Sequence, residues 1–459
     1  MSSSSTLDVP EALDALEAPL LARASGGLFR FATAGSVDDG KSTLVGRLLH
    51  DAKAILADQL ESVARTSVER GFAAGTGFDF ALLTDGLRAE REQGITIDVA
   101  YRYFTTGARS FILADCPGHV QYTRNMVTGS ATADAVIMLI DARAGVLEQT
   151  RRHLSVVHLL RVPHVIIAVN KIDLLDYDQA AFESVERDVL AATASLGIEG
   201  VHVIPISALE GDNIVEVSER TPWYTGPSLL HLLESLPSID ELNIGDRVEH
   251  GSSDDDLRFA VQLVIRPQGG LAPGLDENEF RDYRGFAGQI SSGSVRVGDR
   301  VTVHPSGVQT SVIGIDTADG ALDEARAPLS VTLRLADAVD AARGSLITLA
   351  DHGPALTREV TADLFWLDAR PVHAGDRVLV KHGTSTVAAL VTAVTSRRNL
   401  DTFENEPADT LVVNDIGRAE LKLAAALPID TFSAHRRTGA FLVIDPNDGA
   451  TLAAAIVPD

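Results

Sequence analysis

Gly35-Ser36-Val37-Asp38-Asp39-Gly40-Lys41-Ser42-Thr43 stands between a mostly apolar run, Phe29 to Ala34, and the helix-like stretch Leu44 to Leu49. The stretch fits G-x-x-x-x-G-K-[ST]. In such a loop, glycines let the backbone curl until its N–H groups converge on phosphate oxygens, and the N-terminus of the next helix adds favourable partial charge. Lys41 is then expected to reach the β- and γ-phosphates, and the Ser42 hydroxyl to ligate Mg²⁺. A strand before and a helix after give the loop the setting it requires.

From Leu28 to about Pro237, apolar runs of strand length alternate with helical stretches: Phe111 to Ala114, Ala135 to Ile140, Val165 to Val169 and Val201 to Ile206. The alternation predicts an α/β P-loop domain, a mostly parallel sheet with helices on both faces. Open sheets of this kind bind ligands at the carboxyl ends of their strands, where the phosphate loop lies. Between that loop and Phe111, the polar stretch Asp51 to Thr96 shows helical spacing over Ala54 to Glu69 and a glycine-rich part, Gly71 to Gly77. After Pro237 comes an acidic linker, Ser252-Ser253-Asp254-Asp255-Asp256, and then short alternating strands separated by Gly-Asp and Gly-Ser turns. Two successive β-barrels account for this texture, because closure removes sheet edges. The expected division is an N-terminal extension over 1–27, the P-loop domain over 28–240, and barrels over 256–351 and 354–459. Gly-Asp-Arg-Val occurs at 245, 298 and 375. The unequal intervals read as similar turns entering strands rather than as a solenoid repeat.

Three further loops fit a nucleotide site. Asp115-Cys116-Pro117-Gly118-His119 follows the strand Phe111 to Ala114. There Asp115 would hold Mg²⁺ through water, Gly118 would bring its N–H to the γ-phosphate, and His119 would orient the attacking water; alternatively, His119 is an exposed loop histidine. Asn170-Lys171-Ile172-Asp173 comes off the strand Val165 to Val169. The Asp173 carboxylate can accept from both N1–H and the 2-amino group of guanine, donors that adenine lacks, so it selects GTP over ATP. Asn170 would bond the purine edge and the Lys171 stem would pack on the ring. Ser207-Ala208-Leu209 would complete the base pocket through backbone N–H groups. Thr96, in Gly94-Ile95-Thr96, is the threonine whose hydroxyl would close on Mg²⁺ when the γ-phosphate is present; Ile95 to Ile97 also reads as the start of a strand. Phosphate loop, Thr96, Asp-x-x-Gly, Asn-Lys-x-Asp and Ser-Ala, in that order and at strand ends, imply a regulatory GTPase.

The chain has 459 residues, 45% hydrophobic and 22% charged, which is ordinary for a globular protein of about three domains. Aromatics are 5%, so aliphatic side chains are expected to build the cores. A formal net charge of −25 argues against a partner held by phosphate neutralisation, hence no nucleic acid. The single cysteine, Cys116, excludes internal disulfides and multi-cysteine zinc sites and suits a reducing compartment. Without a leader pattern or an apolar run near about 18 residues, the expected location is cytoplasmic, with no membrane contact.

Two barrels behind a GTPase domain match the translation-factor class. Within it the sequence more closely resembles the large, GTP-hydrolysing subunits of bacterial heterodimeric sulfate adenylyltransferase (ATP sulfurylase). The likeness rests on Ser36-Val37-Asp38-Asp39, where translation factors usually carry His-Val-Asp-His, and on Gln121-Tyr122-Thr123-Arg124-Asn125-Met126. Ala89 to Asp98, Leu147-Glu148-Gln149-Thr150-Arg151-Arg152-His153, Pro222-Trp223-Tyr224-Thr225-Gly226-Pro227, Arg284 to Gly288 and Asn414 to Arg418 also look like that family. The resemblance implies GTP and Mg²⁺ as cofactors and a smaller catalytic subunit that joins ATP and sulfate to give adenylyl sulfate and pyrophosphate, an uphill reaction driven by GTP hydrolysis. Gln268 to Asp282 looks longer and more acidic than usual for the family, and no second phosphate loop follows for a fused adenylyl-sulfate kinase. The rival reading is a translation GTPase that binds RNA or the ribosome.

Overall fold

The computed structural model describes residues 27–53, 80, 99–119, 123–239, 241–242, 256–267 and 281–459. Thr96, the expected helix over Ala54 to Glu69, the first Gly-Asp-Arg-Val and most of Gln268 to Asp282 lie outside them. The chain divides into two compact units, one reaching Ile239 and including Leu400–Phe403, the other comprising the rest.

In the first unit, β1 (Leu28–Gly35), β2 (Ala100–Thr105), β3 (Ser110–Asp115), β4 (Ala135–Asp141), β5 (His164–Asn170) and β6 (His202–Pro205) form one sheet in the order β2-β3-β1-β4-β5-β6. All neighbours are parallel except β2, an antiparallel edge strand that the alternation of apolar runs did not single out. Among the described residues the α-helices named here are α1 (Lys41–Asp51), α2 (Thr123–Ser130), α3 (Glu148–Leu159), α4 (Gln179–Ser195) and α5 (Leu229–Ser235). Every residue of β4 is buried, which is what its unbroken Ala-Val-Ile-Met-Leu-Ile sequence demands of a central parallel strand. One core lies between this sheet and Leu44, Val45 and Leu48 of α1 with Leu229 and Leu233 of α5. Aliphatic side chains make up most of it, as expected, and four phenylalanines join them: Phe104 stacks on Phe111 at 4.8 Å, and Phe29 and Phe31 meet Phe111 edge-on at 6.2 and 6.1 Å.

From Arg258 onward, the named elements among the described residues of the second unit are all β-strands. Strands β7 (Arg258–Ile265), β8 (Gly285–Ser292), β10 (Arg300–His304), β11 (Val308–Thr317), β14 (Ser330–Leu335) and β15 (Leu346–Leu349) run round the first barrel as β10-β15-β7-β8-β14-β11, and β10 pairs with β11 to close it. Short β12 (Gly320–Leu322) extends β11, and β9 (Ser294–Arg296) pairs with β13 (Glu324–Arg326). The second barrel uses β16 (Leu356–Trp366), β18 (Arg377–His382), β19 (Ser385–Arg398), β22 (Ile416–Pro428), β23 (Ala440–Ile444) and β24 (Thr451–Ile456) in the order β18-β23-β24-β16-β22-β19, closed by β18 and β19. Here β20 (Asn405–Pro407) extends β19, and β17 (Val372–His373) pairs with β21 (Thr410–Leu411).

The two circuits coincide when β18 is matched to β10, β23 to β15, β16 to β8, β22 to β14 and β19 to β11; the place of β7 is then taken by β24. One barrel is a circular permutation of the other. The turns at Gly298 and Gly375 occupy equivalent places and make the same bonds. The glycine N–H groups, at φ of 100° and 97°, donate to Val312 O and Val391 O, each at 2.8 Å. The Asp299 and Asp376 carboxylates accept from Arg296 N and His373 N at 2.7 and 2.8 Å.

Between the barrels, Arg258 meets both Asp430 oxygens at 2.9 Å with side chains 5% and 8% exposed, and its Nη1 donates to Leu257 O and His352 O. Thr438 donates to Asp430 at 2.5 Å. Four of the five guanidinium N–H groups are thus bonded, the kind of satisfaction a buried ion pair needs to persist.

Candidate functional site

The phosphate loop needs its glycines. Gly40 caps α1 at φ 92°, and a Cβ there would lie 2.4 Å from Asn170 Nδ2; at Gly35, a Cβ would lie 2.8 Å from Leu139 O. Asp39 closes the turn by accepting from Ser36 N at 2.5 Å, and burial pushes its carboxyl above the ordinary value. Lys41 is buried and donates to Gly35 O at 3.0 Å and Ser36 O at 2.6 Å. Burial pulls its ammonium below the usual lysine range, opposed chiefly by Asp39 and Asp115. Ser42 and Thr43 sit half-buried in the first turn of α1, and Val37 and Asp38 are exposed at the tip.

The parallel register of β1 and β3 puts Thr33 beside Asp115, and the Thr33 hydroxyl donates to Asp115 Oδ1 at 2.8 Å. Thr33 was not among the expected site residues. Gly118 packs on the phosphate loop so closely that a Cβ would lie 2.2 Å from Lys41 Nζ, 2.6 Å from Gly35 O and 2.9 Å from Ser36 O. His119 follows, half-buried. Cys116 is fully buried, its thiol pushed up by burial; it fills space against Gly129.

On the base side, Asn170 Nδ2 donates to Asp39 O at 2.7 Å while its Oδ1 accepts from Ala208 N at 2.9 Å. One side chain thus joins the phosphate loop to Ser207-Ala208-Leu209. Lys171, at φ 64°, donates to Asp38 O at 2.5 Å and pairs with Asp141 at 3.0 Å. Asp173 lies on the single 3₁₀ turn Ile172–Leu175, half-buried. Ser207 and Ala208 are buried, and the Leu209 carbonyl accepts from Arg47 of α1 at 3.1 Å.

A strap formed by Glu210 to Trp223 braces the 3₁₀ turn from outside. The Tyr177 hydroxyl donates to Asp212 at 2.9 Å, Arg220 pairs with Asp212 at 3.1 Å, and Trp223 Nε1 donates to Tyr177 O at 3.1 Å. Trp223 was legible as a family motif residue, but its bond to Tyr177 follows only from the fold.

The donors suit the expected ligands. The buried Ser36 Oγ has no hydrogen-bond partner in the loop, the Gly118 cradle excludes any side chain, and the Ser42 hydroxyl with the Asp115 carboxylate is an all-oxygen set of the kind a hard cation takes. Among the described residues no cluster of three or more His, Cys, Asp and Glu is poised to hold a metal by itself. No helix among them is long and apolar enough to cross a membrane.

Residues 27–238 match the elongation factor Tu GTP binding domain family, and residues 359–458 match the GTP-eEF1A C-terminal domain-like family. The chain is 44% identical to sulfate adenylyltransferase subunit 1 of Teredinibacter turnerae, over 94% of this chain and 87% of that one. Against the subunit 1 of Laribacter hongkongensis the identity is 46%, covering 94% and 85%. It is 47% identical to the bifunctional enzyme CysN/CysC of Mycobacterium tuberculosis, spanning 94% of this chain and 67% of that protein. With a GTP-binding domain of the elongation factor Tu type followed by two barrels, the chain belongs to the sulfate adenylyltransferase subunit 1 family.

Proposed function

We propose that this chain is the GTP-hydrolysing subunit of a sulfate adenylyltransferase, coupling GTP cleavage to the formation of adenylyl sulfate and pyrophosphate from ATP and sulfate on a smaller catalytic partner in the cytoplasm. The observation that supports the reading is the bridge made by Asn170, whose side chain joins the Gly35 to Thr43 loop to Ser207-Ala208-Leu209. Gly35 to Thr43 take the phosphates, with Lys41 on the β- and γ-oxygens; Asp173 selects guanine, Asn170 and Lys171 support it, and Ser207, Ala208 and Leu209 offer backbone N–H groups. Ser42, Thr96 and, through water, Asp115 would hold Mg²⁺, which when bound neutralises phosphate charge. Gly118 N–H reads the γ-phosphate, and His119 orients the water that attacks it. The switch occupies residues 28–240, and the barrels, over 256–351 and 354–459, carry partner contacts.

The test is GTPase activity of the purified chain with and without the small subunit, ATP and sulfate, while pyrophosphate release is followed. Adenylyl sulfate accumulating beyond its uncoupled equilibrium supports the coupling; stimulation by ribosomes or RNA would replace it with a translation role. Within the pocket, Asp173→Asn is expected to turn the preference from GTP to xanthosine triphosphate in a competition assay, because the carboxamide donates where the carboxylate accepted. His119→Ala is expected to slow single-turnover cleavage by roughly 10²-fold or more at undiminished GTP affinity. An unchanged rate removes His119 from the mechanism.

A further inference from the structure

Asp141 ends β4 directly beside Asn170 in the parallel register of β4 and β5, and the strands stay bonded one residue further on, where Ala142 N donates to Asn170 O at 2.9 Å. This places the carboxylate next to the base-reading loop, although Asp141 belongs to none of the nucleotide motifs. It is 8% exposed. Arg143, two residues later, seats itself on both oxygens: its backbone N–H and Nε donate to Oδ1 at 2.9 and 3.0 Å, and Nη2 to Oδ2 at 2.6 Å. The same Oδ2 takes Lys171 Nζ at 3.0 Å. The ammonium's other acceptor is the Asp38 carbonyl on the phosphate loop.

Lys171 holds a left-handed backbone conformation, which costs a non-glycine residue free energy and persists only where its surroundings over-determine it. Around it lie the two acceptors of its ammonium and the backbone bonds Leu174 N to Lys171 O and Ile172 N to Ile206 O. Resting on the pocket assignment above, we propose that Asp141, oriented by Arg143, is a positioning residue for guanine-nucleotide retention. It fixes Lys171 so that its ammonium ties the base-reading loop to the phosphate loop while the stem stays aligned to support the purine. Arg143 is half exposed, so its contribution acts through the carboxylate it clamps rather than through burial of its own charge.

The test measures dissociation of a fluorescent GDP derivative from the full chain by stopped flow, for wild type, Asp141→Asn, Lys171→Ala and the double variant. Loss of one charge-assisted bond to a nearly buried carboxylate predicts faster release for Asp141→Asn by on the order of ten-fold. The double variant should release no faster than Lys171→Ala alone, because Asp141 acts through Lys171. Arg143→Gln, which leaves the buried carboxylate in place, should shift release in the same direction by a smaller factor. A strand-end role alone would make the two effects multiply, and that result overturns the proposal, as does an unchanged rate in Asp141→Asn. Failure of the wild-type chain to bind the GDP probe overturns the pocket assignment and this inference with it. Tight wild-type binding with unaltered release in the variants overturns only the inference.

Discussion

Gly40 shows what single residues decide here. Its left-handed φ and the 2.4 Å approach to Asn170 mean that a methyl group would both strain the backbone and push away the side chain that joins the two loops. Gly40→Ala is therefore expected to cost about 2–4 kcal/mol, the sum of a left-handed alanine and a broken buried hydrogen bond. It should appear as a lower thermal midpoint and weaker GDP binding; an unshifted midpoint would contradict the geometry. The loops proposed to hold the nucleotide could be read from the sequence because the chemistry asked of them ties residue type to local spacing. Thr33, Asp141 and Arg143 were not. Thr33 meets Asp115 and Asp141 meets Lys171 only through strand register, and no local pattern records which residues a parallel sheet sets side by side.

At the scale of elements, Asp299 and Asp376 make a matched pair. Each carboxylate accepts from the backbone N–H three residues earlier, in a turn whose glycine has the same positive φ. Replacing either by Ala is expected to cost about 1 kcal/mol, and the two losses should add because the turns belong to separate barrels. Urea unfolding of single and double variants measures this; strong non-additivity would show that the turns communicate. Sequence reading found the likeness of these turns from their shared Gly-Asp-Arg-Val but not the permutation. Circular matching is a property of pairing order, and a strand as short as β9 or β13 leaves too few residues to register as a period.

At the scale of the molecule, three buried histidines contribute to the response to acid. His153, His304 and His382 are each less than a tenth exposed; burial is the main cause holding all three below the usual 6.5, His153 at about 3. The unfolded chain takes protons below pH 6.5 that the folded chain refuses. The stability each contributes is therefore full above that pH and falls with acidification below it, for His153 down to about pH 3, by at most about 1.4 kcal/mol per pH unit for each histidine. His153→Gln should shallow this slope in denaturant titrations run across pH, and an unaltered slope would contradict its buried neutral state. The Arg258 and Asp430 pair adds a separate loss only below the ordinary aspartate range, since Asp430 is held low. Arg258→Met alone is expected to cost about 3–5 kcal/mol, whereas replacing both partners with apolar residues should be close to neutral.

The permutation gives the end of the described chain an unexpected weight. In the first barrel the stave between β15 and β8 is the first of that barrel's strands in chain order, β7; in the second, the equivalent stave between β23 and β16 is the last of its barrel's strands, β24. A message truncated before Thr451 would thus yield a protein with a missing plank rather than a trimmed tail. The gap would bare the facing flanks of β16 and β23, whose unpaired N–H and C=O groups recruit strands from other molecules. Such a product is expected to leave solution as aggregate even though its nucleotide loops are intact.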